Sequence, residues 1–344
     1  MQTKSILSIV LCFFITSASL FITSCAGNEK IAPVEFRNFT AEIDSISKNG
    51  ISVIELRSLK KEHSRFFALW LQEILDFEKY GPTTDSMQSV ILSDFISKNK
   101  QVLNAIQSHY QRFPNLHKDI SKAIGKLQFV MGTVKKPVIY SFFSQFSNYN
   151  TFVDTFGGQT IFAYSSEMFM NDTFPLYKML EVPEFFNRYN KTNQIPAMLV
   201  WNYLKSSGEG EVKSKNMLSE AVVNGKIWYT MTLVFQDSNP WDLFGYSEKE
   251  WKQMNTEEGQ IWKHYLDNSM LFQSDFNKYK RYFNYGTHTF GPGIPADCPP
   301  LIGNFTGYRI VDAYMKKNKA EVKALWREND AEKILQLSGY NPIK

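Results

Sequence analysis

Pro137-Val-Ile-Tyr-Ser-Phe-Phe143, followed by Thr151-Phe-Val-Asp-Thr-Phe156 and Gln159-Thr-Ile-Phe-Ala-Tyr164, decides the fold class. All three runs are rich in β-branched and aromatic residues, which suit a pleated surface. Gly157-Gly158 between the last two can adopt the positive φ of a tight turn, so the pair of runs predicts a hairpin. The remainder of the chain has helical periodicity. The expectation is therefore an α+β protein, mainly α, in which a helical domain holds a small antiparallel or mixed sheet of about three strands.

Upstream, Phe66, Leu69, Trp70, Ile74 and Phe77 recur at three- and four-residue steps within Glu62–Tyr80, one stripe of a helix that Gly81-Pro82 stops. Val90–Ser97, Val102–Tyr110 and Asn115–Met131 continue the pattern, with Gly132 as the C-cap of the last. Downstream of Pro175, helices are predicted over Ile195–Leu204, Asn216–Phe235, Ser247–Met254, Glu257–Asn268, Ser274–Phe283, Leu301–Asn318 and Asp330–Leu337. Ser247 and Glu250 have capping-box spacing. Asn284–Pro300 carries four prolines and no periodicity, and loops of that length often serve function. No linker or repeat divides residues 34–344, which read as one domain.

At the other end, Lys4 precedes an apolar stretch from Ile6 to Ile22, and small residues lead to Cys25. This is the layout of a secretory signal over residues 1–24. A Cys at that place resembles a bacterial lipobox, whose thiol is acylated. The mature chain would begin at Cys25, with residues 25–33 as a tether to a membrane. An uncleaved membrane anchor is the competing reading, but Thr16, Ser17, Ser19, Thr23 and Ser24 make its second half polar.

The formal charge of +4 is too weak and too scattered for a nucleic-acid partner. With Cys12 in the signal and Cys25 taking lipid, Cys298 stands alone, so no internal disulfide and no thiolate metal site are expected. The five histidines never form His-Glu-x-x-His, and no Gly-x-Ser-x-Gly elbow occurs. Ser-x-x-Lys appears three times without a Lys-Thr-Gly partner, as chance allows. Glu257-Glu258 opens a predicted helix, where negative charge favours the dipole. Aromatic residues make up 15% of the chain, enough to leave an exposed aromatic face beyond the core. Trp241 and Tyr285 are the candidates for such exposure.

The C-terminal third is more specific. Asn255-Thr-Glu-Glu-Gly-Gln-Ile-Trp-Lys-His-Tyr-Leu-Asp-Asn268, Pro300-Leu-Ile-Gly-Asn-Phe-Thr-Gly-Tyr-Arg-Ile-Val-Asp-Ala-Tyr-Met-Lys-Lys-Asn318 and the terminal Ser338-Gly-Tyr-Asn-Pro342 follow Leu218-Ser-Glu-Ala-Val-Val-Asn-Gly-Lys-Ile-Trp-Tyr229. In this order they resemble the gliding-motility lipoprotein GldB family. The resemblance implies an envelope lipoprotein of the gliding apparatus, with motility or secretion-system proteins as partners; Ala26-Gly27-Asn28 lacks the acidic run of surface-exported lipoproteins, so the chain is expected to face the periplasm. It assigns no enzymatic activity and no cofactor. More distantly the pattern is similar to zinc peptidases with a His-Glu-x-x-His helix. Ile195–Leu204 stands in that helix's place without His or carboxylate, which implies a zincin-like scaffold stripped of its metal site.

No catalytic residue and no metal ligand are assigned on this reading; Cys25 is the lipid-attachment site. Glu220, Glu258, Trp262, Gly303, Gly307 and Arg309 are the structural or partner-surface candidates. Arg309 is expected to pair with Glu220 or Glu258, and the two glycines to permit close helix packing. Two alternatives stand beside the contact-protein reading: a hydrolase with an unrecognised site, and a periplasmic ligand- or glycan-binding lipoprotein.

Overall fold

A four-stranded mixed sheet lies between two layers of helices in the computed structural model, which describes residues 34–343 apart from 82, 148–149, 172–173, 184–188, 209–212 and 214. The signal segment, Cys25 and the tether lie outside the described residues. The order begins with β1 (Glu35–Asn38), α1 (Phe39–Ile46), α2 (Val53–Glu62), α3 (Ser64–Leu69), α4 (Asp85–Tyr110) and α5 (Leu116–Met131). The strands β2 (Pro137–Phe142), β3 (Thr151–Phe156) and β4 (Gln159–Ser165) follow. The chain then runs through α6 (Pro175–Met179), α7 (Ile195–Gly208), α8 (Met217–Val234), α9 (Pro240–Leu243) and α10 (Glu248–Asp267). It closes with α11 (Phe276–Tyr279), α12 (Ile302–Asn318), α13 (Val322–Arg327) and α14 (Ala331–Ser338).

The spatial order of the sheet is β1-β2-β4-β3; β1 and β4 run parallel to β2, and β3 is antiparallel to β4. The Gly157-Gly158 hairpin forms with Phe156 opposite Gln159. Three strands were expected. The fourth, β1, has one large apolar residue in Glu35-Phe-Arg-Asn38 and pairs with a strand about a hundred residues away, so no local pattern announces it.

Alternate residues of β2 and β4 enter different cores. Val138, Tyr140, Phe142, Ile161 and Ala163 pack with Phe39, Phe66, Trp70 and Leu92 from α1, α3 and α4 and the turn after α3. Ile139, Phe162 and Tyr164 pack with Ile124, Leu127, Leu199 and Trp228 from α5, α7 and α8. Both faces are covered, which is why these strands read as unbroken apolar runs. A third core behind α8 joins Leu218, Ile261, Tyr265, Ile310, Val311 and Ile334. Each fully buried aliphatic or aromatic side chain contributes about 1.5–3 kcal/mol.

Helix boundaries depart from expectation in several places; the predicted Ser274–Phe283 is only the single turn α11 and a 3-10 turn over Lys280–Tyr282. Glu62–Tyr80 is broken at His63 and passes through a π-turn at Trp70–Ile74. The two helices predicted in 90–110 are one helix, as are the two predicted in 247–268. Both capping signals hold: Ser247 and Glu250 form the reciprocal box, and Gly132 caps α5 at φ 71°.

Candidate functional site

Helices α8 and α12 meet with their backbones almost touching. A Cβ on Gly307 would overlap the Ala221 carbonyl, and one on Gly225 would overlap the Gly307 carbonyl. Gly303 serves a different contact, leaving room for the Phe283 ring. Close approach places α12 so that Arg309 reaches across to α10. Its Nε donates to Glu258 Oε1 at 2.8 Å, and the Tyr340 hydroxyl donates to the same oxygen at 2.8 Å. Trp262, one turn along α10, meets the Tyr340 ring edge-on at 5.0 Å.

The electrostatics are consistent with this hub. Burial alone would depress the Arg309 guanidinium, but the Glu258 contact more than offsets it and the pKa lies above its ordinary value. Burial, then the Glu258 charge, raises the Tyr340 phenol, so it stays protonated and donates. Nearby, Lys226 of α8 donates to the Glu328 carbonyl after α13, and burial lowers its pKa to about 8.

Glu258, Trp262 and Arg309 therefore converge, and Gly307 positions them. Glu220 does not join them. It is exposed on α8 and bonds Asn224 at 3.2 Å, so the expected choice between Glu220 and Glu258 as the partner of Arg309 falls to Glu258. Tyr340 and Gly225 complete the hub and were not singled out as site residues. Gly225 follows Ala221 by four residues on α8, a small-residue spacing that could have been matched to Gly303 and Gly307.

The other titratable candidates are engaged in packing. Burial pushes the Cys298 thiol up to about 12, away from thiolate chemistry. His264 bonds the Tyr282 hydroxyl at 2.8 Å, and His109 bonds Thr192 at 2.7 Å. Glu42, Glu62 and His63 bring three possible metal-ligand atoms within 4.8 Å of one another. Their donors are already committed: His63 bonds Glu42 at 3.0 Å and Tyr140 at 3.1 Å, and Arg37 holds Glu62 at 2.6 Å. Of the aromatic candidates, Tyr285 is exposed and Trp241 half-buried.

A cleft of about 590 Å³ opens at the carboxyl ends of β1, β2 and β4. Asn38, Ser141, Tyr164 and Ser166 form its strand side. The Lys100–Asp44 ion pair, 2.6 Å, joins α4 to α1 beside it, and Asn104 and Gln107 add exposed amides. Thr40 also lines it, 8% exposed, with Oγ1 lacking a hydrogen-bond partner. In sheets with parallel strands, ligands favour this end.

Among the described residues no helix is long and apolar enough to cross a membrane. A family model described as gliding motility protein GldB matches residues 26–342. No curated protein and no solved structure matches the chain.

Proposed function

From the premise that this chain belongs to the gliding motility protein GldB family, we propose that it is an envelope protein anchored by lipid at Cys25 and serving the motility apparatus by contact with other proteins, without catalysis. The observation that carries the reading is the extent of the family match, which begins one residue after Cys25 and takes in every described element. The hub supports a contact role. Its charged groups are spent on each other, tying α10, α12 and the terminal segment together, while the glycine contacts hold α8 against α12. In this reading the scaffold is that of a zinc peptidase whose metal helix has become α7, with Ile195, Leu199, Val200 and Leu204 fully buried on its inner face. The protein faces the periplasm, and its partners are motility or secretion-system components.

Affinity purification of the tagged protein from envelopes tests this, with Cys25→Ser as the control. Identified motility or secretion components should come with the native protein and be lost with the variant. Equal recovery with both would overturn the reading. A second reading, binding of a small polar ligand, is favoured by the cleft at the strand ends, with its amides and unpartnered Thr40 hydroxyl. Calorimetric titration with neutral saccharides would detect it, and no heat from the Gln107→Ala variant where the native protein gives heat would place the ligand in the cleft.

A further inference from the structure

We infer that the amino ends of the parallel strands form a surface that rests on an anionic bilayer. The inference rests on the acylation of Cys25 proposed above. About nine residues separate Cys25 from Val34, and a chain of that length reaches at most ~30 Å. The end of the domain where β1 begins is therefore held near the lipid.

Register identifies what else lies at that end. Glu35 of β1 pairs with Val138, so the chain enters the domain beside the first residues of β2. Lys135 and Lys136 immediately precede β2, and both are exposed. Pro137 pairs with Thr160, which brings the start of β4 and the hairpin tip to the same end. Phe156, the last residue of β3, is 62% exposed there, and a Cβ on Gly157 or Gly158 would meet nothing. Helix α5 also terminates at this end, four residues ahead of Lys136 at Gly132, and Phe129 in its last turn is 73% exposed. Lys323 of α13 packs its ammonium against Gly132.

The charge at this end has the sign an anionic headgroup layer needs. Lys135, Lys136 and Lys323 make no ion pair among the described residues. Arg37 is shared between Glu35 and Glu62, 2.6 Å from each, which leaves one carboxylate charge there, and Arg65 neutralises Asp154 at 2.7 Å; Glu321, exposed beside Lys323, offsets one more, so the three lysines keep the balance positive. Two exposed phenylalanines, Phe156 with the Arg65 guanidinium 5.3 Å over its ring, share this end with the unpaired lysines, as in an interfacial anchor: aromatic rings enter the headgroup boundary while ammonium groups meet lipid phosphates. The amide-lined cleft lies at the opposite, carboxyl ends of the same strands, facing away from the bilayer in this orientation.

Vesicle co-sedimentation of the mature chain carrying Cys25→Ser tests the surface without the acyl group. At low salt it should sediment with vesicles of phosphatidylethanolamine and phosphatidylglycerol and stay in solution with phosphatidylcholine vesicles. K135Q/K136Q should lower the partition coefficient about thirtyfold. F129S/F156S should lower it as well, with unchanged circular dichroism in both variants. Equal partition into phosphatidylcholine, or no effect of K135Q/K136Q, would overturn the proposal. The mass of the N-terminal peptide from native envelopes reports acylation separately. An unmodified Cys25 would overturn the anchor and the orientation drawn from it, whatever the vesicles show.

Discussion

At the scale of single residues, Gly307 is the position where the fold has least tolerance. The atoms a new Cβ would meet are backbone of α8, which cannot swing aside as a side chain can. Gly307→Ala should cost about 3 kcal/mol or more, at the upper end of overpacking effects. Gly286→Ala, with open space around it, should be neutral. Denaturant titration of both variants measures the difference, and equal midpoints would refute the close-packing account. Such contacts were half legible. Gly303 and Gly307 advertised a small-residue face by their spacing, and the pairing of Arg309 with a carboxylate could be expected from a lone arginine on that helix. Tyr340 could not be read, because 82 residues separate it from Glu258 and nothing in either neighbourhood points to the other.

Between elements, buried polar staples decide how helices dock, and one of them is sensitive to pH. His109 in the last turn of α4 bonds the Thr192 hydroxyl, which itself donates to the Phe169 carbonyl. His109 must therefore donate from Nε2, and Nδ1 accepts from Arg112 at 2.7 Å. Protonating Nδ1 would set two donors against each other. Burial, and secondarily Arg112, lowers the pKa to about 4. A histidine depressed on folding favours the folded state fully above its unfolded value of about 6.5 and loses that contribution as pH falls toward 4. The native protein should lose on the order of 2 kcal/mol across that window that His109→Asn does not. Parallel pH profiles of the two would count against the staple. Helix existence was legible here because the apolar stripes repeat over many turns. The π-turn at Trp70–Ile74 was not, since the stripe from Phe66 to Phe77 runs through it without a change of spacing.

For the whole molecule, α8 is the shared wall. Ile227, Trp228 and Met231 belong to the core against the sheet, while Leu218 and Val222 belong to the core behind it. The sheet in turn divides the first of these from the core beneath α1–α4. No core can be lost without exposing a neighbour's surface, so Leu56→Ala and Ile334→Ala should lower the midpoint of the same single transition by about 2–5 kcal/mol each. Tryptophan fluorescence and far-ultraviolet circular dichroism should follow it together; separate transitions would show the cores to be independent. The α+β class was legible from three runs of residues, whereas the sheet's parallel order was not, because α1–α5 separate β1 from β2 in the chain. That distant, four-residue pairing has a mechanical meaning. If the chain is moored at Cys25 as proposed, and if a load acts on the domain from the far end of its strands, traction enters through β1 and runs along its axis. The β1–β2 hydrogen bonds then share the load in shear instead of peeling apart one by one, and the shortest strand becomes the link through which a moving cell surface would pull.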